Sequence, residues 1–323
     1  MKQRSAMPQP RRPDQGAALL VAMVLMTVVT TLAAGMVWQQ WRSIQVETAE
    51  RGRTQAAWIV VGALDWARLV LREQKASPIA LGDAWAQPLA ETRLSTFLAA
   101  DRDNSADSGP EAFLSGQITD AQGRYNLRNL VDGAGKPLPA DLKVLERICL
   151  AAGLPGTLAG TIAQGLASTT TGADITAPLP LVRMEDLAWL GVDGPAIEAL
   201  RAYVVLLPDA GVRTKLNLNT ASREVLAAVL DTDLGAAERL VQARQGKAFA
   251  TLEDAATALA NDNIKLKGNE ALDVSSSYFE VRGRLRLEDR VLEELSLVQK
   301  TTPTDVVTRQ RQRVAVVLPG VVR

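Results

Sequence analysis

The 323-residue chain contains no histidine and a single cysteine. Without histidine it lacks the commonest general base and the commonest ligand for transition metals. One cysteine excludes any intrachain disulfide, and Cys149 lies in the apolar pattern LERICLAAGL, where a thiol reads as a small core residue rather than a nucleophile. Net charge is absent as well: 36 lysines and arginines balance 36 aspartates and glutamates, so no large field attracts nucleic acid or an acidic partner. Phosphate-binding glycine loops, HExxH and GxSxG are all missing. Together these absences predict a chain that is not an enzyme.

What is present begins at the N-terminus. Residues 1–16 read MKQRSAMPQPRRPDQG, with Lys2, Arg4, Arg11 and Arg12 against Asp14. From Ala17 to Trp41 no residue is charged. Those residues make roughly 37 Å of helix at about 1.5 Å each, enough to cross a hydrocarbon core of about 30 Å. Trp38 and Trp41 fall where an interfacial aromatic belt sits, and the basic flank predicts a cytoplasmic leader with the bulk of the chain on the other side. A buried core helix is the bland alternative. A secretory signal cut near Ala34 is another, although its apolar region exceeds the usual span of about 7–15 residues. The junction itself favours a retained helix: a short basic leader ends in Gly16 and the apolar run starts at Ala17.

Beyond the anchor, Ser43–Gln74 keeps a helical period, with Ile59, Val60, Ala63, Leu64, Ala67, Val70 and Leu71 recurring on one side. Pro78 is expected to end this helix. Residues 76–91 read as a loop with Trp85 as a packing anchor, and Asp101–Glu111 as a solvated acidic loop. AFLSGQITDAQGRYNLRNLVD, broken at Asp120–Gly123, predicts a strand hairpin. From about Asp141 to Asn261 the texture turns helical in short pieces, which predicts a compact bundle. The period then switches to two: Phe279, Val281, Leu285 and Leu287 share a face, VLEELSLVQK follows a turn at 288–290, and RQRVAVVL closes the sheet. Between these strands TTPTDVVTRQRQ reads equally as a loop or as a tail.

The most specific segment is LNLNTASREVLAAVLDTDLGAAERLVQARQGKAFATLEDAATAL. Leu216–Ser222 followed by Arg-Glu-Val-Leu is a helix-capping arrangement. With Arg244, Gly246, Phe249 and Thr251–Asp254, it is similar to the helix-hairpin-helix modules of DNA-uptake proteins, whose hairpin offers backbone N–H groups to a phosphate. Here the hairpin LDTDLGAAE keeps only Gly235, with Asp231 and Asp233 beside it. Four cations face six anions between Asn217 and Ala260, the wrong balance for DNA. A membrane-anchored DNA-binding or uptake protein is therefore the alternative reading, and no nucleic-acid partner is expected.

The Gly16/Ala17 junction resembles that of type IV prepilins and pseudopilins. The resemblance sharpens along the chain, through Gly82-Asp83-Ala84-Trp85 with Pro88, and Ile118, Asp120, Gly123–Leu127 and Asn129-Leu130-Val131. Leu216–Ser222 and Tyr278-Phe279-Glu280-Val281 continue it. Together these resemble the K-type minor pseudopilin of the type II secretion system, the general secretion pathway protein K family. The resemblance implies an α+β fold, with a long N-terminal helix packed on an antiparallel sheet and a large inserted all-α domain holding the degenerate helix-hairpin-helix. It divides the chain into a leader (1–16), a membrane-spanning helix (17–41), a first pilin-like part (42–137), the helical insert (138–265) and C-terminal strands (266–323).

It implies leader cleavage by a prepilin peptidase between Gly16 and Ala17, with N-methylation of Ala17. Residence in the inner membrane with a periplasmic bulk follows, as does a place at the pseudopilus tip with the I- and J-type minor pseudopilins and the major pseudopilin. Val21 stands where most pilins carry glutamate, which this subunit class typically lacks, and is expected to bear on assembly order. Calcium is also raised by the family, but Ala163–Val182 holds only Asp174, and Asp101, Asp103, Asn104 and Asp107 read better as a solvated loop. No cofactor is expected.

Overall fold

The computed structural model describes residues 15–75, 77–94, 111–170, 179–208, 213–258, 266, 269–287 and 290–314. Contacts divide the chain into two compact units, residues 1–58 and 59–323. Helix α1 spans Gln15–Glu73. In the first unit its apolar side chains, from Leu19 to Val46, are exposed all round. An apolar surface all round fits a membrane anchor. The hydroxyls of Thr27, Thr30 and Thr31 donate back to carbonyls three and four residues earlier, leaving no orphaned polar group on this stretch's threonines.

In the second unit the last turns of α1 cover a sheet. Its strands are β1 (Leu89–Arg93), β2 (Ala112–Asp120), β7 (Tyr278–Leu287), β8 (Arg290–Thr302) and β9 (Asp305–Val314). They are ordered β1-β2-β7-β8-β9 among the described residues, and every pairing is antiparallel. Leu64, Ala67 and Leu71 lie one helical turn or two apart and meet Ile118, Phe279, Val281, Val298 and Val306, which alternate inward along their strands. Trp85 closes this core edge-on against Phe279, ring centroids 5.3 Å apart, and its indole N–H donates to Asp83. Asp83 also accepts from Ala80 N and Gln74, which fixes the Gly82–Trp85 turn.

Between β2 and β7 the chain builds a helical unit. It comprises α2 (Pro139–Ala151), α3 (Leu158–Thr170), α4 (Gly194–Leu200), α5 (Arg223–Leu230), α6 (Leu234–Gly246) and α7 (Leu252–Ala258). A 3-10 segment, Met184–Leu190, precedes α4 and ends at Gly191, whose φ of 83° suits only glycine comfortably. Asp193, Ser222 and Asp233 cap α4, α5 and α6 by accepting N–H groups of the first turn. One apolar core runs through the unit from Tyr125 to Val274. Two short parallel pairs tie it up: β3 (Tyr125–Asn126) with β4 (Val204–Val205), and β5 (Leu216–Asn217) with β6 (Leu272–Asp273).

Four local expectations change. The predicted hairpin after Asp120 does not form: β2 pairs with β1 and β7, while β3 joins the helical unit. The cause is the turn at Ala121–Gly123, which directs the chain off the sheet. Strand β1 occupies part of the stretch read as a loop, because the pairing with β2 overrides a short polar sequence behind Pro88. Helix α1 ends at Glu73, before Pro78. There the buried Lys300 amine donates to the carbonyls of Leu71 (2.8 Å) and Gln74, satisfying acceptors that every helix end leaves free. TTPTDVVTRQRQ is neither loop nor tail: Thr302 pairs with Asp305 across a tight turn, and β9 is already under way at Asp305.

Candidate functional site

Gly16 and Ala17 fall in the first turn of α1, while leader residues 1–14 lie outside the described residues. Val21, 57% exposed, is one apolar residue among many on that stretch. The helix contains an 18-residue window of mean hydropathy 2.3, none of it buried, so it is long and apolar enough to cross a membrane.

The hairpin between α5 and α6 is the second site the sequence singles out. Asp231 adopts a left-handed conformation (φ 54°) and ends α5. Its carboxylate meets Arg147 of α2 at 2.7 Å, and Arg147 also donates to the Ala228 carbonyl. Asp233 accepts the Ala236 N–H at 2.9 Å. Both carboxylates therefore sit at the hairpin that would face a phosphate, and one N–H such an anion needs is already taken. Arg244 donates inward to the Leu218 carbonyl, and burial lowers its pKa to about 10.

The third site is the junction where the helical unit leaves and rejoins the sheet. Asp120, the last residue of β2, is 7% exposed. Its Oδ1 accepts the Gln122 N–H (2.8 Å). Its Oδ2 accepts from Ser276 Oγ (2.6 Å), Thr220 Oγ1 (2.6 Å) and Asn217 Nδ2 (2.9 Å). Asn217 Nδ2 also reaches the Ile79 carbonyl and Ser276 Oγ. Gln122 extends the node: its Oε1 accepts the N–H groups of Ser277 (2.7 Å) and Tyr278 (3.1 Å), and its Nε2 donates to the Lys215 carbonyl. Outgoing strand, returning strand and the Leu216–Ser222 motif thus converge on one carboxyl group. Burial pushes that group above the ordinary aspartate value, and the donors from Ser276, Thr220, Asn217 and Gln122 only partly offset it.

Several sequence motifs acquire their reason here. A Cβ on Gly123 would lie 3.0 Å from Thr220 Oγ1 and 3.2 Å from its backbone, so any side chain here would have to displace Thr220 by a few tenths of an ångström. Arg124 pairs with Glu280 at 2.7 Å, Tyr125 donates to Asp141 at 2.8 Å, and Asn126 accepts the Arg128 and Leu207 N–H groups. Asn219 clamps Phe249 through both its N–H and its carbonyl. Gln122, Ser276 and Arg147 carry no sequence signal of their own, because each works on partners far away in the chain. Cys149 is fully buried, and burial together with Glu146 pushes its thiol up to about 11, as suits a core residue. Among the described residues no three histidine, cysteine, aspartate or glutamate side chains converge as metal ligands. The acidic stretch with Asp101, Asp103, Asn104 and Asp107, and Asp174, lie outside the described residues.

Comparison with known proteins agrees along the chain. The family described as type II secretion system (T2SS), protein K, matches residues 216–275, the stretch from β5 to the return toward β7. The type II secretion system protein K of Pseudomonas aeruginosa is 29% identical over 318 residues, covering 90% of each chain. That of Pectobacterium carotovorum subsp. carotovorum is 26% identical over 335 residues, covering 93% of this chain and 97% of the relative. That of Dickeya chrysanthemi is 25% identical over 360 residues, with the same coverage. Among solved structures, a chain of the GspK-GspI-GspJ complex from the enterotoxigenic Escherichia coli type 2 secretion system shares the fold. Its TM-score is 0.61 at 18% identity, covering 83% of this chain and 99% of that one. The long N-terminal helix, the antiparallel sheet and the helical unit between its strands are the α+β architecture of that neighbour, and along most of its length the chain is similar to type II secretion system protein K.

Proposed function

We propose that this chain is a non-enzymatic minor pseudopilin, held in the inner membrane by α1 until it enters the tip of a secretion pseudopilus. There it helps initiate assembly for the export of folded proteins. The observation that carries the reading is the uncharged, fully exposed first part of α1, followed in the same chain by a sheet and helical unit of the protein K kind. A carboxylate at the Val21 position is expensive in lipid unless a neighbour pairs it. A subunit that enters first has no neighbour ahead, so valine suits that place. The bulk of the helical unit, set between β2 and β7, suits a subunit on which no other stacks. I- and J-type minor pseudopilins are the natural partners, since the related GspK is solved in complex with GspI and GspJ. The cytoplasmic leader, the periplasmic bulk and the absence of any cofactor belong to the same proposal.

The test is the mass of the mature N-terminus with and without a prepilin peptidase. A chain beginning at Ala17 and carrying one added methyl is the expected result, and Gly16→Val is expected to keep its leader. A start near Gly35, or normal processing of the valine variant, overturns the reading.

A further inference from the structure

Four carboxylates are buried among the described residues: Asp120, Asp141, Asp186 and Glu294. Three have an arginine within ion-pair distance, Arg213 at 2.7 Å, Arg183 at 3.6 Å and Arg311 at 2.6 Å. Asp120 has none among the described residues; it is held by neutral donors alone. A charge enclosed without a counter-charge is costly, and a proton removes that cost. The geometry accommodates the proton. Asn217 Nδ2 and the Gln122 N–H can only donate, but a hydroxyl can reverse, so Thr220 Oγ1 can accept from a neutral carboxyl while the other donors keep their bonds.

We propose that Asp120 is a proton-responsive latch, through which the helical unit grips the sheet more tightly when the carboxyl group is neutral than when it is charged. The latch is independent of the pseudopilin reading. Among the described residues the elements around it supply no other titrating contact: Ile79 offers a carbonyl to Asn217, the turn offers Gln122, and the β5 and β6 sides offer Asn217, Thr220 and Ser276. Charges lining the flanking clefts have partners of their own. Arg124 pairs with Glu280, Arg201 with Glu198, Arg282 with Glu293 and Lys215 with Asp273, while Lys300 is spent on helix carbonyls. The sign follows from linkage. Burial raises the folded-state value of Asp120 above its unfolded one. The stabilisation is therefore complete below the unfolded value and is lost as pH rises through the folded value.

Hydrogen exchange of the full-length chain in detergent, corrected for the intrinsic rate and followed from about pH 8 to about pH 5, tests this. Protection of the junction amides Leu216, Leu218, Ser277 and Tyr278 is expected to rise on acidification relative to β7–β8 amides. The rise approaches at most about tenfold per pH unit, the limit for one proton. Asp120→Asn is expected to flatten the slope. A flat wild-type profile overturns the latch, and so does an unchanged slope in Asp120→Asn. If that variant does not fold, Ser276→Ala decides. It removes a donor that favours the charged form, so the rise moves to higher pH, and an unmoved rise overturns the proposal.

Discussion

The helical unit and its attachment to the sheet are built from opposite materials. The core of the unit is leucine, isoleucine, valine and alanine, with Leu145, Ile162 and Leu187 fully buried. The attachment a few residues away is aspartate, asparagine, glutamine, serine and threonine, bonded to one another and to backbone. Apolar burial is non-directional, so it makes the unit compact without saying where it sits. Hydrogen bonds have a geometry, and leaving one unmade inside a protein is expensive, so the polar node specifies placement. A small apolar contact, Ala121, Val205, Leu207, Tyr278 and Leu297, adds area at the same attachment.

Substitutions can break this contrast. Asn217→Leu keeps the approximate volume but removes the donor to Asp120, Ser276 and the Ile79 carbonyl. With two or more buried acceptors left short at about 1–3 kcal/mol each, a loss of about 3–5 kcal/mol is expected in denaturant unfolding. A cost near that of a surface change would mean that the node is not a placement device. Gly123→Ala comes next, because its methyl meets the Thr220 backbone, which cannot swing away; overpacking of this kind costs about 1–3 kcal/mol. Its fingerprint is lost amide protection at β5 rather than throughout α2 and α3. Ile162→Val sharpens the other side: it trims one methylene from the apolar core, at about 0.5–1.5 kcal/mol, and leaves exchange at the junction unchanged. A junction that responded to Ile162 as strongly as to Gly123 would erase the distinction between the two regions.

Legibility divides along the same line. Helix α1, the alternation of Phe279, Val281 and Leu285, and the Ser222 cap are local patterns, and each is readable from neighbouring residues. Trp85 is legible too as a packing anchor in its loop, whereas the bond from its N–H to Asp83 appears only in the folded turn. The node was visible only as the motif spellings around Asp120, Gly123 and Asn217. Its meaning lies in bonds across 97, 100 and 156 residues of chain, which no period or spacing encodes. Strand β1 and the two-residue pairs β3–β4 and β5–β6 were hidden for a similar reason. They are too short to carry a period, and their partners come from elsewhere in the chain. The β8–β9 turn escaped because threonine and proline there read as loop, while the strands on both sides keep pairing up to it.

The way α1 ends has a mechanical side. Lys300 on β8 holds the Leu71 and Gln74 carbonyls, and Arg68 on the helix donates to the Val306 carbonyl of β9 at 2.8 Å. Tension drawn along the helix therefore enters the sheet through β8 and β9 together. Strand β8 has hydrogen-bonded neighbours on both sides, so load entering at Lys300 is shared across the β7–β8 and β8–β9 ladders, while Arg68 ties the β9 edge to the same helix. Within the second unit, the last turn of α1 is riveted to the sheet at β8, one strand in from its β9 edge.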